Sequence, residues 1–190
     1  MCSKIIETNL NKLSRSNFEK VQIKLIVGLG NPGEKYKNNR HNVGYIILDQ
    51  FAQQSRVQFS NSIKTNSLVT QVKGLMLCKP QSFMNTSGNS VLKTSKFFKI
   101  SPSDILIMHD DLDLDFGVIK LQRDKSSAGH NGVQDVIDKL GTKDFWRLRV
   151  GIGRPQDDTP IEEYVLKNLT QEQLTQLRNI DLHEYILVEE

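Results

Sequence analysis

The chain has 190 residues, of which 37% are hydrophobic and 25% charged, with a formal net charge of +3. That length suits one domain with a sizeable core, and no apolar run reaches the roughly 20 residues of a membrane span. Bulk charge singles out no nucleic-acid partner: Lys4, Lys12, Arg15 and Lys20 against Glu7 and Glu19 leave a net +1 beyond residue 21, so a basic footprint has to be local.

Residues 1–21 read as an N-terminal extension, expected to be poorly ordered. They lack the roughly 7–15-residue apolar core of a secretory signal. Their Lys, Arg and Ser content resembles an organelle transit peptide, but Glu7 and Glu19 count against that. The expectation is a cytoplasmic protein whose single domain spans 22–190.

From residue 22 onward, short apolar runs alternate with helical patterns, which points to a layered α/β fold. Strands are predicted at 23–29, 67–72, 75–79, 104–109, 118–123 and 145–151, and helices at 40–54, 85–99, 130–140 and 170–180. Lys73-Gly74 reads as a hairpin turn, so the central β-sheet is expected to be mixed, with helices on both faces. Asn38 or Asn39 is placed to cap the first helix, and Asn131 stands at the start of the third. Cys2 and Cys78 form no framework and read as free thiols.

Gly28, Gly30 and Gly33 fit G-x-G-x-x-G after the first predicted strand. A dinucleotide loop requires the helix to begin inside that motif, so that its amides meet the pyrophosphate. Here Asn31-Pro32-Gly33 is a turn signal, and EKYKNNRHNV delays the helix to about Arg40. The glycines are expected instead to let the chain turn tightly and present Asn31 and His41.

Three predicted strands run into polar clusters: Asn31, then Gln81-Ser82-Phe83-Met84-Asn85, then His109-Asp110-Asp111. Sites in open α/β sheets form at the carboxyl ends of the strands, so the clusters are expected to meet there. Of the four histidines, His41 stands at a helix start, where the backbone dipole disfavours an added proton. The acidic segment fails as a calcium loop, because Gln122 falls at the twelfth position from Asp111 and Phe116 precedes Gly117. No zinc spacing supports a metal either. A carboxylate orienting a histidine is the simpler use, and Asp111 and Asp115 read as a solvated acidic turn. There is no G-x-S-x-G elbow. A neutral base, a carboxylate and several asparagines suit activation of water for attack on an ester or amide.

Six stretches in order, GLGNPG (28–33), KYKNNRHNVG (35–44), KPQSFMNTSG (79–88), HDDLDLDFG (109–117), SSAGHNG (126–132) and FWRLRVGIGRP (145–155), resemble bacterial-type peptidyl-tRNA hydrolases. The resemblance implies a monomeric, metal-independent and cofactor-free α/β enzyme. Such enzymes cleave the ester between a peptide and the 3′ ribose of tRNA. It makes His41 the base that activates water and Asp110 the group that holds His41. Asn85 would bind substrate and stabilise the oxyanion, and Asn131 would position the 3′ end or the water. Asn31 would contact the peptide main chain and help reject aminoacyl-tRNA with a free amino group. Tyr36 and Phe83 would line the tRNA-end site. Gln122 stands where the family commonly has a lysine for the tRNA 5′ phosphate, leaving Lys120, Arg123 or Lys125 to substitute alongside Arg149. The likeness fades beyond about Leu177. A second reading is an RNA-binding relative that acts in RNA processing without turnover, against which the presence of His41, Asp110, Asn31, Asn85 and Asn131 counts.

Overall fold

A computed structural model describes residues 21–187; the expectation for the extension falls outside them, except that Val21 is ordered in a strand. In chain order the strands are β1 (Val21–Gln22), β2 (Leu25–Gly28), β3 (Ser60–Ser62), β4 (Ser67–Val72), β5 (Leu75–Pro80), β6 (Ile105–Asp111), β7 (Ile119–Arg123), β8 (Trp146–Gly151) and β9 (Ile186–Leu187). The α-helices are α1 (Val43–Gln54), α2 (Ser87–Phe98), α3 (Asn131–Leu140), α4 (Ile161–Leu166) and α5 (Gln171–Arg178).

Seven strands form one mixed sheet in the order β3-β4-β5-β2-β6-β8-β7, while β1 and β9 pair separately in parallel. β2 lies at the centre, parallel to both β5 and β6. β2 and β6 are buried along their whole length, as parallel strands covered on both faces must be. Their side chains alternate between two cores. Leu25, Val27, Ile105 and Ile107 meet Val91, Val133 and Val136 from α2 and α3. Ile26, Leu106 and Met108 meet Ile47, Phe51, Leu174 and Leu177 from α1 and α5. Each such aliphatic side chain, fully buried, contributes about 1.5–3 kcal/mol.

The hairpin at Lys73-Gly74 forms as expected, with φ of 45° and 83°. Two consecutive positive φ values match the twist of the flanking strands. Other details differ from the sequence reading. The first helix opens with a 3-10 turn over Arg40–Asn42, and neither Asn39 nor Asn42 makes a side-chain cap bond. The third is capped by the ring of His130, not by an asparagine. α4 and β3 escape periodicity because they are only six and three residues long.

The glycines also need correction. A Cβ on Gly28 would meet the carbonyl oxygen of Gly44, and one on Gly44 would lie 2.6 Å from both Leu29 N and Met108 O. One on Gly30 would lie 2.7 Å from the Tyr45 ring. Gly28 and Gly30 therefore permit α1 to rest directly on β2 and β6. Only Gly33, with φ of 108°, serves a turn. No helix of the described residues is long and apolar enough to cross a membrane.

Candidate active site

The carboxyl ends of β2, β5 and β6 deliver the three polar clusters to the same end of the sheet. Asp110 is the penultimate residue of β6 and is only 3% exposed. Both its oxygens face His41, at 2.9 and 3.0 Å from Nδ1. Its Oδ1 also lies 3.0 Å from Nε2 of His130.

The hydrogen bonds assign the tautomers. The Val133 amide donates to Nδ1 of His130 at 3.2 Å, so that nitrogen carries a lone pair and Nε2 carries the proton given to Asp110. An ionised Asp110 accepts from His41 as well, which places the proton of neutral His41 on Nδ1 and leaves Nε2 as its basic atom. Burial opposes charge on His41, but the neighbouring Asp110 carboxylate and its hydrogen bond prevail, and the pKa is raised above the ordinary histidine value. Burial likewise opposes charge on Asp110, yet His41 and His130 hold it far below the usual carboxylate range. The opposition to a proton on His41 comes from burial.

One atom each from His41, Asp110 and His130 lie within 4.8 Å of one another, a spacing that a cation can use. The donor set does not fit one. The His130 nitrogen facing Asp110 is an N–H donor, and a metal ligand needs a lone pair there.

His109 sits behind this array, its ring centroid 4.7 Å from that of His130. It meets the Asp110 carbonyl through Nδ1 at 2.7 Å. Burial, then the neighbouring His130, push its pKa well below the ordinary value, so it is a neutral packing group. The fourth histidine, His183, packs against Phe51 on α1.

His41, Asp110, His130 and Asn131 line a cavity of about 480 Å³. Leu112, Ile161, Val165 and Leu166 give it an apolar side. Asn131, the first residue of α3, is exposed there.

A second group is joined by its own contacts. The Met84 amide donates to Oδ1 of the buried Asn31 at 2.8 Å, which fixes the amide so that its NH₂ is the remaining donor. Asn42 pairs with the Asn31 main chain, accepting from its amide at 3.0 Å and donating to its carbonyl at 2.9 Å. The rings of Tyr36 and Phe83 meet edge to face at 6.3 Å, with Phe83 57% exposed. Asn85 is exposed in the 3-10 turn Met84–Thr86.

Asp111 overturns the acidic-turn reading: it is buried, and Arg149 Nε lies 2.5 Å from its Oδ2. Arg149 Nη1 also donates to Gln122 at 3.0 Å. Asp115 is exposed, as expected. Sequence reasoning missed His130 and Asn42 as site residues. Both stand inside the motifs already singled out, directly beside Asn131 and His41.

Comparison with known proteins decides the family. The profile of the family described as peptidyl-tRNA hydrolase matches residues 25–187. The chain is 44% identical over 149 residues to the peptidyl-tRNA hydrolase of Corynebacterium efficiens, covering 78% of this chain and 84% of that one. The chain belongs to the peptidyl-tRNA hydrolase family. Another family member, from Dichelobacter nodosus, is 46% identical over 149 residues, or 76% and 79% of the two chains. The crystal structure of the peptidyl-tRNA hydrolase from Acinetobacter baumannii superposes with a TM-score of 0.75 at 36% identity, over 84% of this chain and 83% of that one. The mixed sheet between helical layers is therefore the fold of peptidyl-tRNA hydrolases. The profile reaches residue 187, so the family likeness does not end near Leu177.

Proposed function

We propose that this hydrolase cleaves the ester joining a peptide to the 3′ ribose of tRNA, with His41 as the base. The observation that carries the reading is the Asp110–His41 pair, which commits Nδ1 and presents Nε2 as the basic atom beside the cavity. Nε2 takes a proton from water while the water oxygen attacks the ester carbonyl carbon. The carbonyl oxygen becomes an oxyanion, stabilised by the Asn85 amide. As the tetrahedral species collapses, the bond to the ribose oxygen breaks, and the imidazolium returns its proton to that leaving oxygen.

The apolar side of the cavity suits the acyl portion, with Asn131 positioning the reacting end. Asn31 presents its NH₂ to the peptide main chain. The Tyr36–Phe83 pair offers aromatic surface to the terminal nucleotide. Arg149 retains donors beyond those given to Asp111 and Gln122 and, with exposed Lys120 and Lys125, takes tRNA phosphates. Arg123 is already engaged by Asp144. The enzyme works as a cytoplasmic monomer without metal, returning tRNA from abortive translation. The reading as an RNA-binding protein without turnover finds no support among relatives named as hydrolases.

The test is release of the blocked amino acid from N-acetylaminoacyl-tRNA with chelator present. His41→Ala is expected to keep tRNA affinity and lose roughly 10²–10⁴-fold in rate. Near-normal hydrolysis by that variant would overturn the assignment of the base.

A further inference from the structure

The cavity wall formed by α4 has little of its own to hold it in place. The helix is six residues long, has no side-chain cap at Pro160, and buries only Val165. Isolated helices shorter than about 12–15 residues are marginal in water. Nevertheless Ile161, Glu162, Val165 and Leu166 all line the cavity.

A side chain from the turn that carries the base reaches this wall. Arg40 donates from Nη1 to the carbonyls of Lys167 and Asn168, at 3.2 and 3.1 Å. Lys167 is the C-cap of α4, where a cation complements the helix dipole and satisfies free carbonyls. The guanidinium also lies over the Tyr164 ring, 4.5 Å from its centroid. The Tyr164 hydroxyl in turn donates to Ile152 O at 2.9 Å, just beyond the end of β8.

We propose that Arg40 is a positioning residue that fixes the α4 wall beside His41 and so determines how bulky acyl groups are received. The inference rests on the reading that this cavity takes the acyl portion of the substrate. The base does not depend on the guanidinium. His41 is gripped by Asp110, and its turn is tied by Asn42 to Asn31. The main-chain bonds from Arg40 N to Lys167 O and from Leu169 N to Asn38 O also survive loss of the side chain. Removing the guanidinium therefore loosens the wall and leaves the base in place.

The experiment compares wild type, Arg40→Met and Arg40→Lys on one tRNA body charged with N-acetylglycine or with N-acetylleucine. For Arg40→Met, KM for the leucyl ester is expected to rise about tenfold, the scale of a lost hydrogen bond to a charged group. KM for the glycyl ester and both kcat values should stay within about twofold, and Arg40→Lys should fall between. A uniform fall in kcat with unchanged KM, or no change at all, overturns the proposal. If Arg40→Met fails to fold, the same selective rise in KM is required of Arg40→Lys. Amide hydrogen exchange across residues 161–166 provides a readout that needs no turnover. Faster exchange in the variants supports the pin even if wild type hydrolyses neither ester, an outcome that would sink the functional reading alone. Unchanged exchange sinks the pin.

Discussion

His41 and Asp110 meet through one ring nitrogen and both carboxylate oxygens, at 2.9 and 3.0 Å, from segments 69 residues apart in sequence. The pair sets opposite pH demands on activity and on stability. With His41 as the proposed base, activity requires its neutral form, so kcat/KM is expected to rise with pH through a pKa that lies above the ordinary histidine value. A raised folded-state pKa adds stability that is fully present below the unfolded value and lost as pH rises through the folded one. Asp110, held far below the usual range, stays ionised across this window. In Asp110→Asn the charge is gone and burial remains, so the acid limb is expected to move to lower pH while the plateau falls. Rates measured from about pH 5 to 8 check this; an upward move would exclude the assigned cause.

His130 shares the same carboxylate and caps α3. Without its N–H, Asp110 interacts more strongly with His41, and the acid limb should move to higher pH. His130→Ala also loses the cap, at a cost of about 0.5–2 kcal/mol. His130→Asn separates the two roles, since Asn is a good cap but too short to bridge to Asp110. Its melting temperature is expected near wild type with the limb still displaced; an unmoved limb would remove His130 from the array.

The framework of this site was legible where physics is local. β2 and β6 are continuous apolar runs because both their faces are covered, and His41 and Asp110 stand in the polar stretches that close the first helix approach and β6. Partnership across strands was not legible. Arg149 stands out in the sequence only as a cation; the register pairing His109 with Arg149 and Lys120 with Arg149 also sets it beside Gln122 and Asp111, partners that no local pattern shows. Asn42 and His130 carry no periodicity or spacing of their own. Their importance lies in the atoms that they face after folding.

Asn42 binds Asn31 through both edges of its amide, which gives a sharp test by substitution. Asn42→Ala leaves the Asn31 amide without its partner, costing about 1–3 kcal/mol. Asn42→Asp preserves size and the acceptor for that amide, but turns a second oxygen toward the Asn31 carbonyl. It is expected to destabilise at least as much as alanine, with kcat reduced in both because Asn31 shifts. Thermal melts decide it; a tolerated aspartate would contradict the pairing.

Gly44→Ala should cost about 1–3 kcal/mol or more by overpacking, because the new methyl lies 2.6 Å from two backbone atoms. The turn at Arg40–Asn42 immediately precedes this residue, so kcat is expected to fall with stability. Gly33→Ala, whose methyl would find only Tyr36 at 4.0 Å, meets no such clash, and its cost of about 1–3 kcal/mol should come from backbone strain alone, because φ 108° and ψ 148° lie in a region open essentially to glycine only. Melts and steady-state rates on both variants check the contrast.

The meeting of Gly28 with Gly44 has a consequence for how such a site can change over time. When two side chains touch, a gain in volume on one can be matched by a loss on the other, and the contact survives by exchange. Here both partners are already bare backbone, and neither has anything left to give up. No second substitution restores the fit after the first, so the pair can only be kept or lost together. The turn that carries His41 is thus anchored at a point where the usual route of paired compensation is closed.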